Sequence, residues 1–352
     1  GTGTSDVPAN IMIMLDNSGS MRAMVNSSNA LRYPSDISTD SQGNIYILEY
    51  AYNRIKKYDS SNNLLKTIGG SGWNCNQWYD AYNFQIFNDQ IYIYSRNGPR
   101  DIKVLDLNGN CVRKSSRNLF SSGSEGIAVT SQFIYIKTSC SQISFYDRNN
   151  FRYLGSNSFS TSQLSCSTSM NANNAGTKLV VPGNNYYNSA ANVFNIGAGG
   201  NLSFSRQTYN RYSSSNGGHR YSRGADFDSN DNVYTSDWYG NRVQKFNSSL
   251  SYLRKQGSYY GANGYYYPWG VHVDKNDKIY IAEYHKGSIV TLNTSLVPQG
   301  KVGSGGSRMD ISHEVIKKIV SNTDLTSGAN FGLMEWGTRH NIRVKISDTG
   351  AK

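Results

Sequence analysis

Residues 40–49 read DSQGNIYILE, and close copies of this phrase recur at 228–237 (DSNDNVYTSD) and 274–283 (DKNDKIYIAE). Each copy starts with a turn rich in Asp, Asn or Gly and continues with residues that alternate between apolar and polar. Turn residues followed by such alternation indicate short, half-buried antiparallel strands. The phrase therefore predicts that the chain repeats one unit of β-structure.

Weaker copies lie at residues 90–94, 132–136 and 178–181, which gives about six units spaced ~40–50 residues apart, as in propeller blades. One such unit cannot bury both of its faces, whereas several units packed around an axis can, with few open strand edges left. The phrases resemble NHL repeats. This resemblance implies a six-bladed β-propeller from about residue 31 to residue 303.

A different kind of sequence precedes the repeats. Residues 11–15 are all apolar, and Asp16, Ser18 and Ser20 follow them. An uninterrupted apolar run closed by a polar turn is typical of a strand buried on both faces, as in a parallel sheet. One carboxylate and two hydroxyls form a hard oxygen set, which suits a divalent cation such as Mg²⁺, Ca²⁺ or Mn²⁺. These three side chains are therefore predicted metal ligands, and a Ser/Gly-rich turn after a core strand is the alternative interpretation.

The phrase DNSGSM at 16–21 is similar to the metal-ion-dependent adhesion site of von Willebrand factor type A domains, whose signature is D-x-S-x-S. A helical pattern, which such a domain has after this loop, follows here only after Ser307, and residues 330–336 and 342–346 then read as two strands. The resemblance implies a mixed fold, in which the propeller is inserted into an α/β A domain that is incomplete in this chain. The predicted boundaries are 1–24 for the start of the A domain, 25–303 for the propeller and 304–352 for the continued A domain.

The composition limits the possible partners. The chain has 352 residues and a formal net charge of +11, but its Lys and Arg are scattered singly, so nucleic-acid binding is not indicated. No apolar stretch approaches the ~20 residues that cross a bilayer, so we expect no membrane span. The Gly1 start suggests a processed or trimmed terminus.

Four cysteines form no C-x-x-C pair, which argues against zinc and redox motifs. An even number of widely spaced cysteines fits two disulfides in an oxidising compartment. Proximity favours Cys75 with Cys111 and Cys140 with Cys166, among three possible connectivities. Four buried thiols that form no disulfide are the alternative.

Aromatic residues concentrate in one late segment of the repeats. Exposed aromatics backed by Asn and Asp commonly bind glycans or proteins, although propeller cores also use Tyr and Trp. The candidate partner-binding residues are Trp238, Tyr239, Tyr259, Tyr260, Tyr265, Tyr266, Tyr267 and Trp269.

The histidines give little support to an enzyme. Some propellers of the NHL type are zinc lyases with axial histidines, and His219, His272 and His285 could be arranged in that way. The five histidines of the chain, however, lack the spacing of a metal-binding motif. We therefore expect a protein that is not an enzyme, with a propeller lyase or hydrolase as an alternative.

The adhesion-site phrase near the start and the large insertion in the A domain resemble the PilC/PilY family of type IV pilus tip-associated adhesins. The resemblance implies an extracellular adhesin, located at a pilus tip, that binds host, surface or pilus partners. Its divalent cation would keep a coordination position open for an acidic group on a protein or glycan ligand. A structural subunit or scaffold of a cell-surface filament is the rival interpretation.

Overall fold

The computed structural model describes residues 9–16, 31–121, 123–166, 169–257, 265, 267–303, 312, 315–316, 319, 329–336 and 345–347. The chain divides into two compact units, one formed by residues 1–30 with 305–352 and the other by residues 31–304. The boundaries after residues 24 and 303, drawn from the sequence, stay a prediction.

Twenty-four of the described strands form six sheets of four strands each, and these sheets are the blades of a β-propeller. Strand β1 (Ala9–Asp16) precedes them. The first three blades comprise β2 (Pro34–Thr39), β3 (Ile45–Glu49), β4 (Arg54–Tyr58) and β5 (Leu64–Gly69); then β6 (Phe84–Phe87), β7 (Gln90–Tyr94), β8 (Ile102–Asp106) and β9 (Cys111–Lys114); then β10 (Gly126–Val129), β11 (Phe133–Ser139), β12 (Gln142–Asp147) and β13 (Tyr153–Ser158).

The last three blades comprise β14 (Asn171–Ala172), β15 (Lys178–Pro182), β16 (Ala191–Ile196) and β17 (Leu202–Gln207); then β18 (Ser222–Phe227), β19 (Val233–Asp237), β20 (Arg242–Phe246) and β21 (Tyr252–Gly257); then β22 (Pro268–Val273), β23 (Ile279–Glu283), β24 (Ser288–Leu292) and β25 (Pro298–Val302). A 3₁₀ turn, Tyr50–Tyr52, joins β3 to β4, and β26 (Ala329–Trp336) and β27 (Lys345–Ser347) follow the blades. Within each blade, chain neighbours pair side by side. The predicted six-bladed propeller is confirmed.

The ring of blades is closed, because the innermost strands of neighbouring blades are in contact all the way round, including β22 of the sixth blade with β2 of the first. Each blade is one continuous chain segment, so side chains and not a shared sheet join the first blade to the last. Leu31, Ile37 and Tyr280 are buried together in this seam. The N–H of Gly303 also donates a hydrogen bond to Asn62 Oδ1 there (2.7 Å).

Hydrogen bonds from side chains join the inner strands of neighbouring blades. Asp36 of the first blade accepts a hydrogen bond from the N–H of Phe84 in the second (3.1 Å). Asn83 of the second blade pairs with both the N–H and the carbonyl of Ile127 in the third, each at 2.9 Å. The backbone groups at the open edge of a sheet would otherwise be buried without a partner, which is costly. Further pairs of this kind are Ser38 with Ile86, Gln85 with Val129, Asn171 with Ala225, and Asp226 with Val273.

The first residue of the repeated phrase builds the turn between the first and second strands of a blade. Asp40 Oδ1 accepts hydrogen bonds from the N–H groups of Gln42 (3.0 Å) and Asn44 (2.8 Å), and the Tyr46 hydroxyl donates to Asp40 Oδ2 (3.0 Å). Gly43 has a φ of 83°, in the left-handed region that Gly, Asn and Asp adopt most readily. The same turn recurs with Asp228 and Tyr234, and with Asp274 and Tyr280.

Two disulfides, Cys75–Cys111 and Cys140–Cys166, join the pairs that proximity favoured, and that prediction is confirmed. Such disulfides are consistent with a secreted or extracellular protein. In the part of the chain that the structure describes, no helix is both long and apolar enough to cross a membrane.

The remaining sheet belongs to the unit that contains residues 1–30 and 305–352. Strand β1 pairs in parallel with β26, and β26 pairs antiparallel with β27. The predicted α/β von Willebrand A fold class is wrong, because the regular elements of the described residues are β-strands with one 3₁₀ turn and include no α-helix. Helical backbone occurs in the described residues only at positions 312, 315–316 and 319. An apolar run such as 11–15 fits a strand of any parallel pair, so it does not specify the helical layers of an A domain.

Replacing Asn83 by Ala tests the side-chain hydrogen bonds that join neighbouring blades. The change leaves the buried N–H and carbonyl of Ile127 without their side-chain partner, so we expect the free energy of unfolding to fall by about 3 kcal/mol. Urea unfolding followed by circular dichroism measures the difference. Asn276→Ala, at an exposed turn, is the matched control and should change stability by less than about 0.5 kcal/mol. Equal effects of the two substitutions would contradict the role of Asn83.

Candidate functional site

Aromatic side chains converge on one end of the propeller, which we call the upper face: the end at which each inner strand begins and the second strand turns into the third. Trp238 and Trp269 meet edge to face with ring centroids 5.1 Å apart, and Trp269 reaches Tyr82 of the second blade at 6.0 Å. Together these rings come from the first, second, fifth and sixth blades. We call this set the aromatic basin, and it consists of Tyr33, Tyr50, Tyr82, Trp238, Tyr239, Tyr267, Trp269, Tyr284 and His285.

The repeat itself places several of these rings. Tyr50, Trp238 and Tyr284 each follow directly after the acidic residue that ends the second strand of their blade. In the fifth blade that acid, Asp237, is buried and pairs with Arg242 (Nε to Oδ2, 2.8 Å). Burial raises the pKa of Asp237 to about 6, and Arg242 acts in the opposite direction. The acid thus stays in the interior, and the aromatic residue after it turns onto the upper face.

The basin has a floor and a rim. Trp238 and Trp269 are only 8% and 5% exposed, so they form the floor. Tyr33 and Tyr239 are 43% and 40% exposed, and His285 is exposed as well. Rigid rings that are buried at the base and accessible at the edge are suited to contact a ligand at low entropic cost.

Arg223 lies at the centre of the basin. Its guanidinium carbon is 4.4 Å from the ring centroid of Trp238 and 4.5 Å from that of Trp269, so the cation lies within cation–π distance of both floor rings. Its Nε is buried and makes no hydrogen bond to a described residue. Burial is the main influence on the pKa of Arg223 and lowers it, while Tyr239 and nearby groups act against this change. An arginine remains charged even so.

The structure brings four of the predicted partner-binding residues together, namely Trp238, Tyr239, Tyr267 and Trp269. Tyr265 is 5% exposed and lies in the hydrophobic core with Val243 and Val271, away from the surface. Tyr259, Tyr260 and Tyr266 lie outside the described residues.

Sequence reasoning missed the basin residues of the first two blades, Tyr284 of the sixth blade and the central cation. The signal for Tyr50 and Tyr284 was present, because both stand at the repeat position of Trp238. Tyr82 and Arg223 flank or begin inner strands, where the repeats differ most, so alignment of the phrases does not reveal them.

The side chains of the three predicted metal ligands lie outside the part of the chain that the structure describes. Asp16 is the last residue of β1 and only its backbone is described, and Ser18 and Ser20 lie outside the described residues. The divalent-cation site therefore stays a prediction. Among the described side chains, one cluster of ligand types occurs, Glu125 with Cys140 and Cys166, but those cysteines form a disulfide and cannot bind as thiolates.

The three histidines considered for an axial zinc site form no cluster in the described residues. His219 is fully buried, and its Nε2 lies 2.8 Å from Thr235 Oγ1. His272 contacts Thr39 Oγ1 (2.8 Å) and Asp226 (3.5 Å), which ties the sixth blade to the first and the fifth. His285 belongs to the aromatic basin, and burial lowers its pKa.

Comparisons with known proteins bear on the fold alone. No family model and no curated protein matches this sequence. Streptogramin B lyase has a similar structure, with a TM-score of 0.53 at 14% identity over 80% of this chain and 86% of that chain. A Bacteroides thetaiotaomicron protein of unknown function gives a TM-score of 0.58 at 14% identity, covering 78% of this chain and 74% of its own.

Virginiamycin B lyase from Staphylococcus aureus matches with a TM-score of 0.52 at 13% identity, over 79% of this chain and 86% of that chain. The chain therefore contains a six-bladed propeller that resembles those of streptogramin B lyases. These similarities lend no support to a von Willebrand A domain or to the PilC/PilY family.

The buried imidazole of His219 predicts a specific pH dependence. Burial, aided by the charge of Arg242, lowers the pKa of His219 from 6.5 to about 3. The unfolded chain therefore binds a proton below pH 6.5 that the folded chain rejects, so this stability is present above pH 6.5 and decreases as the pH falls toward 3. Its contribution should fall by about 1.4 kcal/mol per pH unit in that window.

Urea unfolding of the wild type and of His219→Gln at pH 7, 5.5 and 4 measures this contribution. The variant should lose about 1 kcal/mol at pH 7, where it lacks the histidine's contact with Thr235, and should lose less stability than the wild type on acidification. Parallel pH profiles would contradict a buried, neutral His219.

Proposed function

We propose that the propeller is the recognition module of an extracellular adhesin and binds a carbohydrate chain on its upper face. The observation that carries this proposal is the convergence of rings from four blades into one contiguous basin, with Trp238 and Trp269 as its floor. A binding surface whose most buried members are aromatic matches the usual anatomy of recognition sites.

The chemistry of the basin suits a sugar. A pyranose ring presents an apolar face of C–H groups and a rim of hydroxyls, and it is matched by flat rings with polar edges. Tyr33 and Tyr239, which are 43% and 40% exposed, supply accessible ring faces, and Tyr267 adds a further phenolic hydroxyl. Trp238 and Trp269 support these rings from the floor. We commit to a glycan ligand for this reason, and capture of a peptide in its place is one outcome of the test below.

The disulfides support the extracellular part of the proposal, because they are typical of proteins outside the reducing cytosol. A pilus-tip location is not part of it. That location followed from the family resemblance, which the structural similarities do not support.

A propeller lyase or hydrolase is the second candidate. The propeller resembles those of lyases, and His285 stands among the basin rings, 4.9 Å from Tyr267 between ring centroids. Because burial lowers the pKa of His285, its imidazole is neutral at neutral pH and could accept a proton from a bound ligand. Loss of intact ligand on incubation with the wild type, but not with His285→Ala, would favour an enzyme.

The proposed binding is tested with labelled protein on an array of immobilised oligosaccharides, both neutral and acidic. Tyr33→Ala and Tyr239→Ala remove exposed rim rings, so each should weaken binding about tenfold, the loss expected from truncating one good contact residue. Tyr153→Ala, on the outermost strand of the third blade and 55% exposed, is the matched control and should bind as the wild type does.

Two results would count against this function. The wild type could bind no oligosaccharide of the array while it captures peptides from a parallel peptide array. Alternatively, Tyr153→Ala could lose as much binding as the two rim variants, in which case the aromatic basin would not be the site.

A further inference from the structure

We propose that Arg223 is an anion receptor at the centre of the aromatic basin, so that the glycan ligand carries an oxyanion on its sugar units. This inference rests on the proposed carbohydrate-binding function and specifies its substrate class. The oxyanion is a carboxylate, as in a uronic acid, or a sulfate ester, because each can present two oxygens to the two parallel N–H groups of a guanidinium.

The two indole rings flank Arg223 without neutralising its charge. With Trp238 at 4.4 Å and Trp269 at 4.5 Å, aromatic rings cover the guanidinium from two sides. The N–H groups of a guanidinium point outward in its own plane, where they form a fork that matches two oxygens of an anion. The Nε of this group is buried without a hydrogen bond, and the guanidinium forms no ion pair with a described residue.

Six other cations near this end of the propeller show how a charged side chain is neutralised in this fold. Each of the six lies beside a carboxylate in an ion pair, and four of them are largely buried. The pairs are Lys56 and Arg54 with Glu49, Lys103 with Asp101, Lys137 with Glu125, Arg242 with Asp237, and Lys286 with Glu283.

Among the described residues, no carboxylate forms an ion pair with Arg223. Glu125, whose charge reaches Arg223, is held by Lys137 at 2.7 Å. A partly buried charge without a counter-ion costs stability, and such costs concentrate at sites where a ligand supplies the missing group.

A second arginine of the same face repeats the pattern. Arg96 stacks on Tyr82 with its guanidinium carbon 4.9 Å from the ring centroid, and its Nε is buried without a hydrogen bond. Tyr82 is also a basin ring that contacts Trp269. Two cations without described counter-ions in one basin fit a chain of acidic sugars better than a single charged group. The formal net charge of +11 also favours an anionic partner.

Three oligosaccharides of equal length are the probes: oligogalacturonate with carboxylates, a sulfated oligogalactose, and neutral oligogalactose. Titration calorimetry and tryptophan fluorescence report binding, the latter because the floor of the basin is made of two tryptophans. The intact chain is used throughout, as wild type, Arg223→Gln, Arg223→Lys and Arg254→Gln. Arg254, exposed on the outermost strand of the same blade, is the charge-matched control.

The wild type should bind at least one charged probe about tenfold or more tightly than the neutral one. Arg223→Gln should abolish that preference, and circular dichroism together with urea unfolding checks that the variant is folded. Arg223→Lys should recover only part of it, because an ammonium keeps the charge but lacks the planar fork. Preference for the uronate or for the sulfated probe identifies the oxyanion.

Equal binding of charged and neutral probes by the wild type would overturn the anion receptor and leave carbohydrate recognition standing. The anion receptor would also be overturned if Arg254→Gln lost as much preference for charged probes as Arg223→Gln, since net charge alone would then explain the effect. Binding of none of the three probes by the wild type would instead overturn the proposed function on which this inference rests.

Discussion

The hydrogen-bonding groups along the inner strand edges set the main constraint on this propeller. Six four-stranded sheets arranged around an axis each have an innermost strand whose open edge lies in the interior, where water is scarce. The chain satisfies these groups with side chains from the preceding blade, as Asp36, Asn83 and Asp226 do. Because every such bond crosses a blade boundary, the angle between blades is fixed by hydrogen bonds as well as by apolar packing. Aromatic side chains from different blades can therefore meet at defined distances on the upper face.

This arrangement separates two tasks along the same strands. The acids and amides inside the ring hold the blades, whereas several residues just outside the strand ends contribute their rings to the aromatic basin. Trp238 illustrates the division, since its neighbour Asp237 forms an ion pair with Arg242 while the indole ring of Trp238 packs in the basin. Arg223 combines both positions: its backbone belongs to an inner strand, and its guanidinium lies in the basin, where no described carboxylate neutralises it.

The sequence was sufficient for much of the fold, because the turn that begins with Asp40 depends on local contacts that repeat with the phrase. Proximity along the chain also sufficed for the two disulfides. It failed for the α/β A domain, since one apolar strand and one helical stripe leave the neighbouring layers undetermined. For the site, it found the aromatic segment around Trp269 but placed Tyr265 at the surface, although that ring fills the core. The state of Arg223 depends on which carboxylates fold nearby, and no local pattern encodes that.

The seam between the first and sixth blades has a mechanical consequence. The propeller segment begins and ends at this seam, where Leu31 packs in the shared core and Gly303 is bonded to Asn62. The two blades share no sheet, so tension applied through the flanking segments would act on a joint of apolar contacts and a few hydrogen bonds. The other five boundaries lie off this line of force, and the floor of the basin spans the boundary between the fifth and sixth blades. Such tension would therefore separate a first-blade ring such as Tyr33 from the sixth-blade ring of Tyr284 before it disturbed the pair of Trp238 and Trp269.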